Sequence, residues 1–531
     1  MQTIWVVTTG GVLSGIGKGV ASAAIARLLK GNKKIVTMKC DGYLNVDPGT
    51  MNPVEHGEVF VLHDGGEVDM DFGHYERFLD VNCKFEWNLT SGKIFDSVIT
   101  KERKGVYLGK TIQIFPHIVD EIKSKIYDIA KKEFADIMFI EIGGTVGDIE
   151  NSWFIEAVRQ LRNEVGNDKI VYIHLTYIPY LETVTELKTK PAQRDIALLR
   201  EKGIYPDIVI ARSKFELTPK IKEKLALFGD IDAESIITGK DVDSVYEVPL
   251  FFRDQNIVQL LNRKLHMKHK EELVRWEELV NTIKHPEHRI KVAICGKYTE
   301  LHDSYASVIE ALKHAGAHLN TGVDIVWLET TDIEKNKVSV KEALKNVNGV
   351  IIPGGFGSRG VEGKIQVIQH LRENNIPFLG LCYGLQLAVI EFARHVCNLT
   401  EANTTEVKKT KVPVIDILPE QKNVDKLGGT MRLGAYEAVL LKGSVVQQLY
   451  NAEKAVERHR HRYEVNPEYH QILQEKGMVF SGMSADKRLV EFIELPNHPY
   501  FVATQAHNEL TSRLEKPNPL FYGFVKAALK K

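Results

Sequence analysis

One cysteine of this chain stands where a nucleophile would be set. In Gly380-Leu381-Cys382-Tyr383-Gly384-Leu385-Gln386, Cys382 falls between an apolar run, Ile376-Pro377-Phe378-Leu379, and a helical pattern carried by Leu385, Leu387, Ala388, Ile390 and Phe392. A strand-to-helix elbow exposes the sulfur at a sheet edge, and the helix N-terminus favours the thiolate, which is the attacking form. Such a nucleophile needs a base, and the base needs a group to orient it. Gln505-Ala506-His507-Asn508-Glu509-Leu510 supplies both: alternation along a strand end points His507 and Glu509 the same way. A lone cysteine at an elbow is more often a small packed residue, but the later His-x-Glu turns the reading toward catalysis.

A second chemistry is written near the start. The loop Thr9-Gly10-Gly11-Val12-Leu13-Ser14-Gly15-Ile16-Gly17-Lys18-Gly19 follows a strand and precedes the helical run from Val20 to Leu29. Backbone N–H groups and a helix N-terminus cradle polyphosphate, and Lys18 neutralises charge between phosphates. The match to G-x-x-x-x-G-K-[ST] is imperfect, because Val12 stands six before Lys18 and Gly19 follows it. The usual hydroxyl ligand for Mg²⁺ is therefore missing, and acidic residues must hold the ion. Asp71, in Glu67-Val68-Asp69-Met70-Asp71, and Glu141, at the end of the run Ile137 to Ile140, are the best placed. A third constellation is Glu186-Leu187-Lys188-Thr189-Lys190-Pro191-Ala192-Gln193. It has the composition of a triphosphate site, although on spacing alone a solvated charge run explains it better.

These residues need a scaffold, and the apolar pattern supplies two. Strand-like runs Ile4 to Val7, Ile35 to Met38, Ile137 to Ile140, Ile170 to Leu175 and Ile208 to Ile210 alternate with helical patterns and predict a parallel α/β sheet in residues 1–265. A Lys-, Glu- and His-rich stretch, 266–288, carries Leu273, Trp276, Leu279, Val280 and Ile283 at helical spacing and reads as a linker helix with one docked face. A second α/β series over 289–531 runs through Val292 to Ile294, Val323 to Trp327, Val350 to Ile352 and Phe378 to Leu381. Residues 401–428, polar and broken by Pro413 and Pro419, read as a surface loop region.

With 531 residues the chain is too long for one core. Lys+Arg at 69 against Asp+Glu at 70 gives a net charge of −1, so no broad basic field draws nucleic acid or a membrane surface. Five scattered cysteines, Cys40, Cys83, Cys295, Cys382 and Cys397, suit neither a disulfide scaffold nor a zinc knuckle and predict a reducing cytosol. The N-terminus runs straight into a strand with no leader pattern, and no apolar stretch reaches the ~18 residues of a membrane span. A soluble cytoplasmic protein is expected.

Longer strings resemble one family. The phosphate loop, Asn45-Val46-Asp47-Pro48-Gly49-Thr50, Gly73-His74-Tyr75-Glu76-Arg77-Phe78, Glu141-Ile142-Gly143-Gly144-Thr145-Val146-Gly147-Asp148-Ile149-Glu150 and Lys188-Thr189-Lys190 resemble the synthase half of the CTP synthase family. Pro353-Gly354-Gly355-Phe356-Gly357, Gly380 to Gln386, Gly428-Gly429-Thr430-Met431-Arg432-Leu433-Gly434 and the run Glu457 to Asn466 resemble its class I, triad-type glutaminase. The resemblance implies a P-loop-like nucleotide-binding domain joined to a class I glutamine amidotransferase domain. It implies ATP on Gly15, Ile16, Gly17, Lys18, Gly19 and Val20, with Lys39 near the phosphates, Lys240, Asp241 and Val242 near the adenine, and Asp71 and Glu141 on Mg²⁺. Ser14, Lys188, Thr189, Lys190, Gln193 and Lys224 would take the pyrimidine nucleotide, UTP or CTP. Asp148, Ile149, Glu150 and Phe228 would line the inhibitory cytosine pocket. Gly355 would belong to the oxyanion hole, and Tyr383, Gly384, Leu385, Gln386, Glu406 and Arg462 would hold glutamine.

The implied reaction phosphorylates O4 of UTP with ATP, releases ammonia from glutamine at Cys382, His507 and Glu509, and delivers it through a tunnel to C4, giving CTP. GTP activation, CTP feedback inhibition and a homotetramer come with the family. Two departures stand out. Ala506, Asn508 and Leu510 replace the family's Phe, Pro and Phe around the acid and base, and Gly42 stands where proline is common, which predicts a more mobile loop from Lys39 to Asn45. The Arg/His run at 458–462 imitates a metal site, but interleaved arginines repel a cation, so substrate and structural contacts are expected. The alternatives are an amidotransferase acting on a carboxylate, of the cobyrinate or dethiobiotin type, and an assembly protein whose chemistry has decayed.

Overall fold

The computed structural model describes residues 3–51, 57–296, 302–418, 421 and 430–531. It divides into two units, Met1–Asp47 with His74–Val274, and Pro48–Gly73 with Arg275–Lys531.

The first unit is built on seven strands: β1 (Ile4–Gly10), β2 (Ile35–Asp41), β3 (Asn88–Thr90), β4 (Ile137–Ile142), β5 (Ile170–Tyr177), β6 (Ile208–Ser213) and β7 (Ile236–Lys240), in the order β7-β6-β5-β1-β4-β2-β3. Every pairing is parallel. Parallel strands are covered on both faces, which is why β1, β2, β4 and β5 are near-continuous apolar runs buried along almost their whole length. The chain leaves β1 for β2 on one side and later reaches β5 on the other, so the carboxyl ends of β1, β4 and β5 open on one crevice. That is where an open α/β sheet takes its ligand.

The second unit centres on nine strands. They are β8 (His288–Ile294), β9 (Thr321–Trp327), β10 (Gly349–Ile352), β11 (Phe378–Leu381), β14 (Arg432–Leu440), β15 (Lys454–His461), β17 (Val479–Met483), β18 (Val490–Glu494) and β19 (Phe501–Thr504), in the order β9-β8-β10-β11-β19-β18-β17-β14-β15. β8 to β11 and β19 run parallel; β18, β17, β14 and β15 continue the sheet antiparallel. Two hydrophobic cores cover its faces. Helix Tyr383–His395 sits in one of them, with Leu385, Leu387, Ile390 and Phe392 buried. Each such side chain contributes about 1.5–3 kcal/mol on burial.

Two expectations need correction. Residues 401–428 are not simply surface loop: β12 (Ala402–Thr404) pairs with β13 (Val412–Ile417), β13 pairs in turn with β16 (Tyr463–Val465), and Ala402, Val414 and Ile415 are buried. Pro413 stands opposite Asn403 of β12, next to the point where that register shifts, and ahead of Ile415, where the pairing with β16 begins; an irregular place of this kind tolerates proline. Pro419, Gly428 and Gly429 lie outside the described residues. The stretch 266–288 is helical only over Val274–Lys284, which buries Trp276, Leu279 and Val280, and β8 already begins at His288. Before it, the Asn262 side chain brackets the main chain of His269 and the His269 ring meets the Leu28 carbonyl, so these residues are tied to the first unit in a non-helical path.

Candidate functional site

In the second unit, β11 and β19 are parallel neighbours with Leu381 opposite Thr504, so their carboxyl ends bring Cys382 and His507 to one place. Cys382 has φ +50° and ψ −98°, a backbone state that costs a non-glycine residue about 1–3 kcal/mol. Its N–H donates to Thr504 O at 2.7 Å, which holds the strained turn. Gly380 and Gly384 are needed beside it: a Cβ on Gly384 would stand 2.2 Å from Ile352 O, and one on Gly380 2.8 Å from the Ala503 methyl.

His507 Nδ1 donates to Glu509 Oε1 at 2.7 Å. The pair does not lie on a strand end, as alternation suggested. β19 stops at Thr504, His507 caps the 3₁₀ turn Asn508–Thr511, and the turn swings Glu509 back to the imidazole. Burial pulls the His507 pKa down, but the Glu509 carboxylate and the Cys382 sulfur outweigh it and raise the group well above its ordinary value. An imidazolium beside the sulfur is thus favoured, a positive charge where a cysteine nucleophile uses one. Gln505 Nε2 also approaches the sulfur, at 3.6 Å.

A cavity of about 360 Å³ opens above the sulfur. Of the expected glutamine residues, Gly355, Gln386, Glu406 and Arg462 line it with the triad; Tyr383, Gly384 and Leu385 do not. Gly355 leaves open space around its α-carbon, with only Tyr383 within 4 Å of a Cβ built there, while Gly354 packs against His507. Glu406 accepts from Gly357 N–H at 2.9 Å, and Arg462 donates to Gln421 and Thr430. Tyr383 contributes indirectly, its hydroxyl holding Gly357 O at 2.9 Å.

The Arg/His run divides by strand alternation. Arg458 donates to Val61 O at 3.0 Å and Arg460 to Glu67 at 2.8 Å, while His459 and His461 face Arg432 and Glu491. Burial and Arg432 push His461 down to about 3, so it is neutral here. The arginines hold a segment from the first half of the sequence, the hairpin Phe60–Val61 with Glu67–Val68. Glu58, Val59 and Val61 thereby become one wall of the cavity. Nothing in the local sequence signalled that wall.

In the first unit, the loop after β1 turns through Gly15 at φ +70° and Gly17 at φ +91°, and α1 (Lys18–Leu29) starts with no acidic residue and no side-chain cap in its first turn. A helix start with neither suits an anion. Lys18 is buried, and its Nζ donates to Gly144 O at 2.7 Å, spanning the carboxyl ends of β1 and β4. Gly17, Val20 and Lys240 share a cleft with Arg212 and Phe252, on the side expected for the adenine; Asp241 pairs with Arg212 at 2.7 Å. Ser14, Gly15 and Leu13 are exposed at the loop's tip.

Lys39 is buried 3.7 Å from Asp41 and stands in register beside Glu141, which is also buried and accepts from the Tyr75 hydroxyl. Asp71 opens the helix Asp71–Leu79 in the part of the chain that groups with the second unit. Both offer oxygen donors, the chemistry Mg²⁺ takes.

Asp148 is engaged locally: its carboxylate accepts from Thr145 N and Oγ1, each at 2.7 Å. Ile149 and Glu150 are exposed, and Gly42 is pressed so closely on Glu150 that a Cβ would stand 2.8 Å from its carbonyl oxygen. Thr189 opens α2 (Lys190–Glu201) and accepts from Gln193 Nε2 at 3.0 Å; Lys188 pairs with Glu186, and Lys190 lies 5.9 Å from the Phe228 ring. Lys224 is exposed on the helix that ends at Gly229.

One network was missed. Asp195 of α2 accepts from His174 Nε2 at 2.9 Å, and Thr9 Oγ1 lies 2.9 Å from His174 Nδ1. The Asp195 carboxylate fills the space where a Gly11 side chain would be, 1.6 Å from its Cβ position. It ties the phosphate loop to α2, and Asp195 two residues after Gln193 was its one sequence signal.

Comparison with known proteins covers both units. Residues 4–267 match the family model CTP synthase N-terminus, and residues 300–527 match Glutamine amidotransferase class-I. The CTP synthase of Methanococcus maripaludis is 51% identical over 534 residues, covering 99% of this chain and all of that one. That of Caldanaerobacter subterraneus subsp. tengcongensis is 51% identical over 528 residues, covering 99% and 98%. Among solved structures, the Trypanosoma brucei CTPS glutaminase domain with bound acivicin is 35% identical, covering 46% of this chain and 94% of that one, with a TM-score of 0.43.

Proposed function

This chain belongs to the CTP synthase family, and on that premise we propose how its residues divide the work of making CTP from UTP, ATP and glutamine. The observation that carries the reading is that a Cys-His-Glu triad and a glycine-rich phosphate loop stand in one chain, each at the carboxyl ends of parallel strands in its own sheet. Residues 1–265 act as the synthase, 289–531 as the glutaminase and 266–288 as the link, with Glu58, Val59 and Val61 lent to the glutamine cavity.

At the glutaminase, the Cys382 thiolate attacks the amide carbon of glutamine. The carbonyl oxygen takes up negative charge near the Gly355 backbone, a preorganised donor position. His507 gives its proton to the leaving nitrogen, ammonia departs and a thioester remains. Water, deprotonated by His507, then releases glutamate and restores the thiolate. Glu509 keeps the imidazole oriented.

At the synthase, the N–H groups from Gly15 to Val20 and the Lys18 ammonium hold the ATP phosphates, with Lys39 beside them. Mg²⁺ held by Asp71 and Glu141 would neutralise charge on the transferring phosphate. UTP O4 takes the γ-phosphoryl group, which makes phosphate the leaving group when ammonia adds at C4. Ammonium is no nucleophile, so ammonia is delivered without release to bulk water. Ser14, Lys188, Thr189, Lys190, Gln193 and Lys224 bind the nucleotide triphosphate, in sites completed by a second subunit of a homotetramer. GTP activates the glutaminase. The five buried thiols, none in a disulfide, support work in a reducing cytoplasm.

Omitting ATP, UTP or glutamine in turn and following CTP tests the reading. Loss of CTP in each omission is expected; an aminated carboxylate product, or no product at all, would favour one of the alternatives.

Glu509→Gln removes the charge that raises His507, so the imidazolium is lost at lower pH and the alkaline limb of glutaminase activity moves down by about one unit or more. A pH–rate profile that keeps its alkaline limb would contradict the role given to Glu509.

Feedback is expected to rest on Glu150. The cytosine amino group donates where uracil O4 only accepts, and Asp148 is already engaged by Thr145. Glu150→Ala is expected to weaken CTP inhibition by roughly 1–3 kcal/mol, with a smaller effect on UTP use. A CTP titration of ammonia-dependent synthesis reads this; an unchanged midpoint removes Glu150 from the pyrimidine site.

A further inference from the structure

The turn that carries the base and its carboxylate is held by side chains that no catalytic step uses. Asn508, between His507 and Glu509, is fully buried, and its Nδ2 donates to the Tyr450 hydroxyl at 2.6 Å. Tyr450 donates to Glu457 Oε1, which also accepts from Asn518 Nδ2 at 2.8 Å, and the Thr511 hydroxyl donates to Glu457 Oε2 at 2.6 Å. Burial and the adjacent Glu457 hold the Tyr450 pKa well above its ordinary value, so the hydroxyl stays a donor. Glu457 precedes Arg458 on β15, and Arg458 O accepts the His507 N–H at 2.7 Å. The 507–511 turn is therefore stitched to one strand at His507, at Asn508 through Tyr450, and at Thr511.

Position 508 is the first of the 3₁₀ turn Asn508–Thr511, where the main-chain N–H has no partner within the turn and a proline's fixed φ fits. Asparagine leaves this backbone less restricted, and it buries an amide whose Oδ1 has no hydrogen-bond partner among the described residues. Its compensating contact is the bond to Tyr450. We infer that Asn508, Tyr450 and Glu457 form a positioning brace that fixes the His507–Glu509 turn, doing by hydrogen bonds what a stiff residue at 508 does by covalent geometry. The inference rests on the reading of this site as a glutaminase.

The test uses the full chain with Tyr450→Phe, Asn508→Ala, both together, and Asn508→Pro with and without Tyr450→Phe. Tyr450→Phe and Asn508→Ala are each expected to lower the kcat of glutamine hydrolysis about tenfold, with the glutamine KM and ammonia-dependent CTP synthesis nearly unchanged. The pH at which Cys382 becomes reactive to iodoacetamide rises in both, because His507 is no longer held against the sulfur. The Ala/Phe double variant is expected to be no worse than either single one, since both break the same chain. On the Asn508→Pro background Tyr450→Phe should cost less than about twofold, proline having replaced the brace.

Additive losses in the double variant, a harmless Tyr450→Phe, or an undiminished loss on the proline background would each overturn the brace. The Ala/Phe cycle decides the matter whether or not the proline variant folds. Absence of glutamine hydrolysis in the unsubstituted protein would instead overturn the glutaminase reading, and the brace with it.

Discussion

Cys382→Ala is expected to reduce glutamine-dependent CTP formation below about one part in 10⁴ while leaving synthesis from added ammonia near its original rate. The sulfur is the only nucleophile at the carboxyl end of β11 among the described residues, with His507 and Gln505 aimed at it. Alanine removes it without disturbing the cores, because the cysteine faces the cavity and the elbow is held by Gly380, Gly384 and the Thr504 carbonyl. The ammonia reaction is expected to need no member of the triad. Measuring both rates in one preparation separates the sites; retained glutamine-dependent synthesis would remove Cys382 from catalysis.

Lys18→Ala should have the complementary signature. The Lys18 ammonium is the buried cation of the phosphate loop, and it also straps that loop to Gly144 at the end of β4. Losing a charge contact to the transferring phosphate typically costs ~10²-fold or more, so synthesis should fall at least that far with either nitrogen source. Glutamine hydrolysis by the same sample shows that the second unit is folded. Near-normal turnover with ammonia would make Lys18 a structural strut alone.

Much of this was legible because parallel strands advertise themselves. The runs Ile4 to Val7, Ile137 to Ile140, Ile170 to Leu175 and Phe378 to Leu381 are apolar because both faces of each strand are covered, and all lie within strands of the structure. The elbow at Cys382 could be read for the same reason, as the point where such a run gives way to a helix. The antiparallel half of the second sheet hid itself. Lys454–His461, with the sequence KAVERHRH, looks like a charged surface, yet Arg458, His459 and His461 are buried and Arg460 is half-buried, against Val61, Glu67 and Glu491. The pairings with Val61 and Glu67 lie hundreds of residues apart in sequence and leave no local period. Pro413 misled in the opposite direction, since a proline beside a shift of register, before the second neighbour begins to pair, does not end the strand. His507 and Glu509 do meet, but through a 3₁₀ turn and not along a strand end. Asp195 and His174 were passed over because a buried, mutually satisfied acid and histidine carry no signature until the fold brings Gly11 against them.

Nitrogen freed at Cys382 is expected to be the nitrogen that reaches the pyrimidine. The most direct measurement supplies ATP, UTP, Mg²⁺ and glutamine labelled with ¹⁵N in the amide, in a bath of unlabelled ammonium, and weighs the CTP formed. Predominantly ¹⁵N-labelled CTP from the unsubstituted protein, turning wholly unlabelled in Cys382→Ala, is the predicted result. CTP that carries the bath isotope in both proteins would contradict the account.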